Sequence, residues 1–142
     1  MAMRLHIIAR GKIGRSPESE LVDRYLKRIS WPTKHSELPD RGGELPASDA
    51  PYKTIILDEK GAQLSSVELA GLLERWRDDG VREVRFLIGA ADGFDDAARA
   101  SADRLIAFGK ATWPHLMARA MLAEQLFRAT SIIANHPYHR EG

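Results

Sequence analysis

Three short apolar runs separated by helical patterns constrain the fold of this 142-residue chain more than any other feature. The runs are R-L-H-I-I-A at residues 4–9, K-T-I-I-L at 53–57 and V-R-F-L-I at 84–88, and each has the length of a buried strand. Strands that alternate with helices along a chain form a sheet with parallel members. The sequence therefore predicts one α/β domain over residues 1–142, which is long enough to have a core of its own.

Serine residues mark the starts of two helices between these strands. Ser16 is followed by a proline suited to the first helical position, and the apolar spacing extends a helix over about residues 17–30. The serine pair at 65–66 and Glu68 form a capping-box signature, and this helix is expected to run to about residue 79.

The other segments carry weaker signals. Residues 33–38 are expected as a second strand on a thin apolar signal, and residues 39–51 as an exposed loop. Residues 58–61 are expected to close the middle strand. A helix is expected over about 95–102, and residues 104–108 are either its end or another strand.

The longest helical pattern begins at Pro114, expected in the first turn, and meets no further proline or glycine before Pro137. Its polar residues fall into two sectors of the helical wheel, whereas an ordinary surface helix has one. One sector holds Arg119 and Thr130, and the other holds Glu124, Gln125, Arg128 and Ser131. Two interpretations stay open. The helix packs on the sheet and on a second copy of the chain, or it is the central helix of one domain with Glu124 and Arg128 as an i,i+4 pair.

Composition and charge exclude several classes of protein. The formal net charge is only +1, so contact with a nucleic acid must come from a local basic patch. The chain has no cysteine, which removes disulfides, thiolate metal sites and cysteine nucleophiles. The N-terminal apolar run is too short for a signal peptide, and no run has the length of a membrane span. A soluble cytoplasmic protein with no membrane contact is expected.

Residues suited to a ligand follow three of the predicted strands, at 57–58, 89–93 and 108–113. In open α/β sheets ligands bind beyond the carboxyl ends of the strands, and glycine lets a ligand approach the backbone closely. The alternative is that these glycines only form turns. The phosphate-binding patterns G-x-G-x-x-G and G-x-x-x-x-G-K-[ST] and the hydrolase pattern G-x-S-x-G are absent, which favours a cofactor without phosphates that is bound by backbone groups.

The C-terminal tail concentrates groups that can move protons or hold phosphate. They are Asn135, His136, Tyr138, His139 and Arg140, and they directly follow an apolar helix. His136 and His139 could bind a metal together with His115, but no third carboxylate ligand accompanies them, and surface hydrogen bonding is the commoner fate of such residues. Proton handling or substrate positioning is the remaining interpretation, because histidine titrates near neutral pH.

Three segments resemble one known family over nearly the whole chain. They are I-I-L-D-E-K-G-A-Q-L-S-S, F-L-I-G-A-A-D-G and P-H-L-M-A-R-A-M-L-A-E-Q-L-F-R-A-T-S-I-I-A-N-H-P-Y-H-R-E. The chain resembles the ribosomal RNA large subunit methyltransferase H family, a small member of the SPOUT class. The combination E-Q-L-F-R-A with P-Y-H-R is the most specific part of the match.

The resemblance implies a fold, a cofactor and partners. The implied fold is a mostly parallel sheet flanked by helices, with a deep trefoil knot in its C-terminal part, whose loops hold S-adenosylmethionine. The family forms homodimers in which the second subunit helps to build the RNA site. Its activity is methylation of N3 of pseudouridine 1915 in helix 69 of 23S rRNA, in the large subunit or the assembled ribosome.

The resemblance also assigns site residues by position. The implied cofactor residues are Leu57, Gly89, Phe108, Gly109, Lys110, Ala111, Thr112 and Trp113. The chain departs from the family at Ala90, where a second glycine is usual, and at Phe127, where a tyrosine is common. The extra methyl group of Ala90 restricts positive φ and places the loop geometry there in question.

The implied chemistry assigns roles to the tail. His139 is the candidate base or proton relay, with His136 second, Tyr138 orients the uracil ring and Arg140 offsets negative charge as the imide ionises. The candidate contacts to RNA phosphates are Arg4, Arg10, Lys12, Arg15 and Arg119. The alternative function is a non-catalytic ribosome- or RNA-binding protein that retained the fold, and a metal-dependent hydrolase is a more distant one.

Overall fold

The computed structural model describes residues 3–89 and 94–140. Its strands are β1 (Arg4–Arg10), β2 (Thr33–Leu38), β3 (Tyr52–Ala62), β4 (Glu83–Ile88) and β5 (Arg104–Ile106). Its helices are α1 (Pro17–Arg28), α2 (Ser66–Asp78), α3 (Asp96–Ser101) and α4 (His115–Ile133). The predicted α/β fold is confirmed, and within the described ranges no helix is both long and apolar enough to cross a lipid bilayer.

The five strands form one sheet in the order β2-β1-β4-β3-β5, and every pairing is parallel. The weakly signalled strand at 33–38 is confirmed as an edge strand next to β1. Residues 104–108, for which two outcomes were open, contain the other edge strand. Because all strands run the same way, their carboxyl ends meet at one edge of the sheet, where a ligand site is expected.

The two faces of the sheet are covered by different elements. One face carries the main core, in which Ile7, Ile55 and Phe86 pack with apolar residues of α1, α2 and α4. The opposite face has a smaller cluster of Ile8, Ile56 and Leu87, against which Phe94 and other residues near α3 pack. A strand buried on both faces has a continuous apolar sequence, which explains the runs in β1, β3 and β4.

The helix starts follow the predicted capping chemistry. The Ser16 side chain accepts a hydrogen bond from the Ser19 N–H, and Pro17 is the first helical residue. Ser65 and Glu68 form a reciprocal capping box at the start of α2. Pro114 is the cap of α4 and not part of its first turn, because its backbone is extended with ψ at 137°.

The prediction that residues 58–61 close the middle strand is wrong. β3 continues to Ala62, because both Leu57 and Ala62 pair with Ile106 of β5 while the residues between them bulge out of the register. The Lys60 N–H donates to the Asp58 carboxylate at 2.8 Å and shapes this bulge. The bulge directs residues 58–60 to the carboxyl edge of the sheet, where they line the cavity described below.

Candidate functional site

A cavity of about 710 Å³ lies at the carboxyl edge of the sheet. Its walls come from the ends of β3, β4 and β5, from the segment that follows β5 and from the start of α4. The lining residues include Leu57, Asp58, Glu59, Lys60, Ile88, Gly89, Arg99, Phe108, Gly109, Ala111, Thr112, Trp113, Pro114 and His115. We call it the edge cavity, and its size is in the range of pockets that hold a small molecule or cofactor.

Two hydrogen bonds hold the segment 108–113 in shape. The Trp113 Nε1–H donates to the Phe108 carbonyl at 2.8 Å, which closes the segment into a loop. The Thr112 hydroxyl donates to the Glu59 carboxylate at 2.8 Å and ties the loop to the bulge of β3. Gly109 has a φ of +85°, so a side chain at this position would strain the loop.

Acidic and basic side chains both line the edge cavity, since Lys60 and Arg99 accompany Asp58 and Glu59. Asp58 and Glu59 both line it, and the Asp58 carboxylate forms an ion pair with Arg99 at 3.2 Å. Arg99 also binds Asp96 within α3 at 2.5 Å, so its positive charge is shared between two carboxylates. Glu59 contributes a second carboxylate, which accepts the hydrogen bond of the Thr112 hydroxyl.

The structure brings together seven of the eight predicted cofactor residues, since all except Lys110 line the edge cavity. Lys110 is exposed. Ala90, whose methyl group placed the loop geometry in question, lies outside the described residues. Sequence reasoning missed Glu59 and Arg99 as residues of this cavity. The hydrogen bond between Thr112 and Glu59 joins positions 53 residues apart, and no local sequence pattern indicates it.

The C-terminal tail packs against α4 and α1. Asn135 ends α4 with a φ of 58°, a conformation that asparagine tolerates better than most residues. Beyond it, the Tyr138 ring lies 4.5 Å from the Phe127 ring and under the guanidinium of Arg128 at 4.9 Å. Burial, Glu124 and a hydrogen bond with Tyr25 together raise the pKa of Tyr138 above its ordinary value.

Arg128 is the centre of the polar contacts of the tail. Its Nε–H donates to Glu124 at 2.7 Å, which confirms the expected i,i+4 pair, and its Nη1 lies 3.1 Å from His139 Nδ1. The Tyr138 backbone N–H donates to His136 Nδ1 at 3.2 Å. Arg140 is exposed. The tail is therefore held by the chain and does not hang free, in spite of its terminal position.

One chain does not bring the tail to the edge cavity. The α4 residues that line the cavity end at Ala118, whereas the tail binds α4 at Arg128. Ten helical residues separate these positions, which is about 15 Å along the axis. None of the described tail residues lines the edge cavity. The two groups of predicted site residues are therefore separate within one chain.

A second cavity of about 810 Å³ lies between α1, α2 and α4 and shares residues 106–109 with the edge cavity. Its apolar lining includes Leu21, Tyr25, Leu64, Leu69, Met117 and Met121. Met117 is 42% exposed, so part of this apolar lining faces solvent. We call this surface the helical groove.

The prediction that Arg119 contacts RNA phosphates is wrong, because its side chain is 0% exposed. Its Nη1 donates to Glu37 at 2.6 Å, and its Nη2 lies 3.3 Å from the Gly11 carbonyl. This network accounts for the polar sector of α4 that faces the chain itself. The other sector is also satisfied internally, since Gln125 accepts from the Ser66 hydroxyl at 2.7 Å.

The other basic residues predicted to contact RNA phosphates differ in their exposure and in their pairing within the chain. Lys12 and Arg15 are exposed on the loop that follows β1. Arg10 donates to the Pro39 and Gly42 carbonyls, which folds the loop after β2 back onto β1. Arg4 forms an ion pair with Glu83 at the opposite end of β1. Within the described residues, no three metal-ligating side chains come close enough together to hold an ion.

Comparison with known proteins gives consistent results. A family model described as "Predicted SPOUT methyltransferase" matches residues 3–139. A protein of Novosphingobium aromaticivorans named "Ribosomal RNA large subunit methyltransferase H" is 72% identical over 141 residues, which cover 99% of this chain and 100% of that protein. A protein of the same name from Rhizorhabdus wittichii is 71% identical over 140 residues, with 99% and 100% covered.

Two solved structures share the fold at low identity. A probable methylase family protein from Haemophilus influenzae Rd KW20 superposes with a TM-score of 0.62 at 11% identity, over 98% of this chain and 70% of that one. A probable methyltransferase from Bordetella pertussis Tohama I superposes with a TM-score of 0.56 at 16% identity, over 90% of this chain and 96% of that one.

Proposed function

The chain belongs to the SPOUT methyltransferase family and, within it, to the ribosomal RNA large subunit methyltransferase H proteins, and from this membership we propose that it methylates 23S rRNA with S-adenosylmethionine as the donor. The proposed acceptor is N3 of pseudouridine 1915 in helix 69. The observation that supports the proposal most directly is the convergence of seven predicted cofactor residues on one cavity.

The residues of the edge cavity fit this cofactor. Leu57, Ile88 and Trp113 offer apolar surface to an adenine ring. Gly89 also lines the cavity, and the backbone at Gly109 is open to close approach, because a Cβ there would meet nothing within 4 Å. Glu59 suits the positive charge of a sulfonium. S-adenosylmethionine, when bound, supplies a methyl group on a strongly electrophilic sulfonium, so the protein has mainly to orient it.

We place the acceptor chemistry at the tail. Tyr138 would orient the uracil ring, Arg140 would offset the negative charge of the ionised imide, and His139 would lie between them in the same segment. Lys12 and Arg15 are exposed cations suited to RNA phosphates. The protein would act in the cytoplasm, where its ribosomal substrate is located.

A homodimer would solve the separation of tail and edge cavity. The helical groove offers an exposed apolar surface between α1 and α4, and a second copy seated there would bring its own tail toward the first copy's cavity. The trefoil knot and the homodimer both remain predictions from the family resemblance.

Mapping of 23S rRNA modifications by mass spectrometry tests the function. Cells with the protein should carry a methyl group at N3 of pseudouridine 1915, and cells lacking it should not. Calorimetry with S-adenosylmethionine separates the proposal from a non-catalytic RNA-binding protein. The absence of both binding and the methyl mark would favour that alternative.

A variant of the tail tests the assignment of the acceptor site. His139→Ala should lower methylation at saturating cofactor by about 100-fold, because a group near the acceptor is lost. Cofactor affinity should stay nearly unchanged, since His139 does not line the edge cavity. Undiminished turnover would remove His139 from the reaction.

A further inference from the structure

The hydrogen bond between Arg128 and His139 fixes the protonation pattern of the imidazole. Arg128 Nη1 lies 3.1 Å from His139 Nδ1. A guanidinium only donates hydrogen bonds, so Nδ1 must accept with its lone pair. In a neutral imidazole the proton is then on Nε2. Arg128 is itself oriented by Glu124 at 2.7 Å and by the Tyr138 ring at 4.9 Å, so this donor is held in place from two sides.

The second ring nitrogen does not offer a lone pair to substrate either. Nε2 carries the proton in this tautomer, and the atom is buried. A general base needs a lone pair within hydrogen-bond reach of the proton that it removes. The imidazole of His139 has its lone pair directed at Arg128 and its proton on a buried nitrogen.

We infer that His139 is a positioning residue that anchors the C-terminal tail to α4 through Arg128, and that it does not accept the proton of the substrate. This inference rests on the proposed function and refines the role of one of its residues. The side chains left to touch the nucleobase are those of Tyr138 and Arg140, whose placement depends on the anchored segment between them.

The same reasoning applies to the other imidazole of the tail. His136 Nδ1 accepts the Tyr138 N–H at 3.2 Å, so its lone pair is also used within the tail. With both imidazoles engaged, the proton passes from N3 to a water molecule. The N3 lone pair forms the bond to the methyl carbon, and the electron pair of the broken carbon–sulfur bond stays on sulfur.

A side-chain series at one position tests the inference. His139→Asn places a carbonyl oxygen near the site of Nδ1, where it can accept from Arg128 but cannot act as a base. We expect His139→Asn to keep methylation within about tenfold of the wild type, whereas His139→Ala loses about 100-fold. A proton acceptor at this position would make both variants equally inactive, and that result would overturn the inference.

Nitrogen NMR of the histidine rings gives a readout that does not depend on methylation. Long-range ¹H–¹⁵N spectra of the full chain, with His139 assigned from the Asn variant, should show the Nε2–H tautomer at neutral pH. Arg128→Met should abolish this single tautomer and reduce methylation as much as His139→Ala. Arg75→Met, at an exposed arginine of α2, is the matched control and should change neither.

The tautomer seen by NMR and the methylation activity together distinguish a failure of this inference from a failure of the proposed function. An Nδ1–H tautomer in the wild type would overturn the inference whatever the activity. A chain with the expected tautomer but no methylation of 23S rRNA in any variant would contradict the proposed function, and the anchoring of the tail by Arg128 would stand.

Discussion

Gly61 lies at the closest approach between β3 and β5. A Cβ built on it would come within 2.5 Å of the Ile106 backbone nitrogen and the Leu105 carbonyl carbon. Its φ is not in the left-handed region, so the constraint is space and not backbone strain. The sequence placed this glycine in the segment expected to close the middle strand, and only the pairing of β3 with β5 shows that no side chain fits there.

Gly61→Ala should therefore destabilise the fold. The obstacle is backbone that cannot move aside, and overpacking of this kind costs about 1–3 kcal/mol. Gly71→Ala is the matched control, because a Cβ there meets open space within α2, and it should stabilise the chain by about 0.5–1 kcal/mol. Urea unfolding of both variants measures the difference, and equal midpoints would contradict the close approach.

His6 is a buried titratable group on β1. It is 1% exposed, its Nε2 is 2.7 Å from the Ser36 hydroxyl, and Glu83 lies 3.9 Å from its Nδ1. Burial lowers its pKa to about 4, although Glu83 acts in the opposite direction. The unfolded chain takes up a proton at a higher pH than the folded chain does. The contribution of His6 to stability is thus complete above pH 6.5 and is lost as the pH falls toward 4.

The loss should be on the order of 3 kcal/mol between neutral pH and pH 4, from the shift in pKa. His6→Gln should flatten the fall in unfolding free energy over this interval relative to the wild type. His115→Gln, at an exposed histidine, should keep the wild-type slope. Denaturant titrations at several pH values provide the comparison, and an unchanged slope in His6→Gln would refute the assignment.

At the scale of elements, an ion pair between the buried Arg119 and the partly exposed Glu37 connects α4 to the ends of β1 and β2. Arg119 donates to Glu37 at 2.6 Å, and the same Glu37 oxygen accepts the Ile13 N–H at 2.7 Å. Burial raises the pKa of Glu37, but the Ile13 N–H and Arg119 outweigh it and hold the pKa below its ordinary value. The ion pair thus fixes the loop that presents Lys12 beside the start of α4.

Glu37→Gln should destabilise the chain by about 3 kcal/mol, because it leaves the buried Arg119 charge without its carboxylate. Combining it with Arg119→Met should recover much of this loss, since no unpaired charge then remains. Arg77→Met removes a surface pair with Glu74 and should cost less than about 1 kcal/mol. A double-mutant cycle by chemical denaturation measures the coupling, and additive effects of the two substitutions would argue against the pair.

At the scale of the whole molecule, the distance between tail and edge cavity makes the oligomeric state decisive. Met117→Glu places a charge in the exposed apolar surface of the helical groove and should convert a dimer to monomers that still bind cofactor but do not methylate. Val67→Glu, at a similarly exposed apolar residue of α2 outside the groove, should leave the dimer intact. Sedimentation velocity distinguishes the two, and a monomeric wild type with full activity would exclude the shared site.

Mixing two inactive variants tests the shared site directly. Gly109→Val should impair the cofactor loop because of its φ of +85°, and His139→Ala should impair the tail. If each site takes its cavity from one copy and its tail from the other, an equal mixture should regain about a quarter of the wild-type activity, because half of the dimers are mixed and each has one intact site. No recovery after subunit exchange would place tail and cavity in the same copy.

The amino-acid sequence alone determined most of the strand segments, two of the capped helices, the α/β class and the family. These features depend on patterns over a few neighbouring residues, such as the Ser65–Glu68 capping box and the apolar run at 53–57. Most residues predicted for the cofactor line one cavity, because strand ends of a parallel sheet share one edge. Sequence reasoning failed where the outcome depended on residues far apart in the chain.

Tertiary structure alone decided the strand order, the bulge in β3 and the fate of the charged side chains. The sequence predicted Arg119 as a surface cation, but its side chain is buried. The prediction failed because its partner Glu37 is 82 positions away in the chain. The tail and the edge cavity were expected to form one site, but they are separate within one chain, because α4 carries the tail away from the carboxyl edge of the sheet. A buried charge is stabilised only by a partner that lies close to it in space. The helical period that predicts α4 does not indicate which distant residue is that partner.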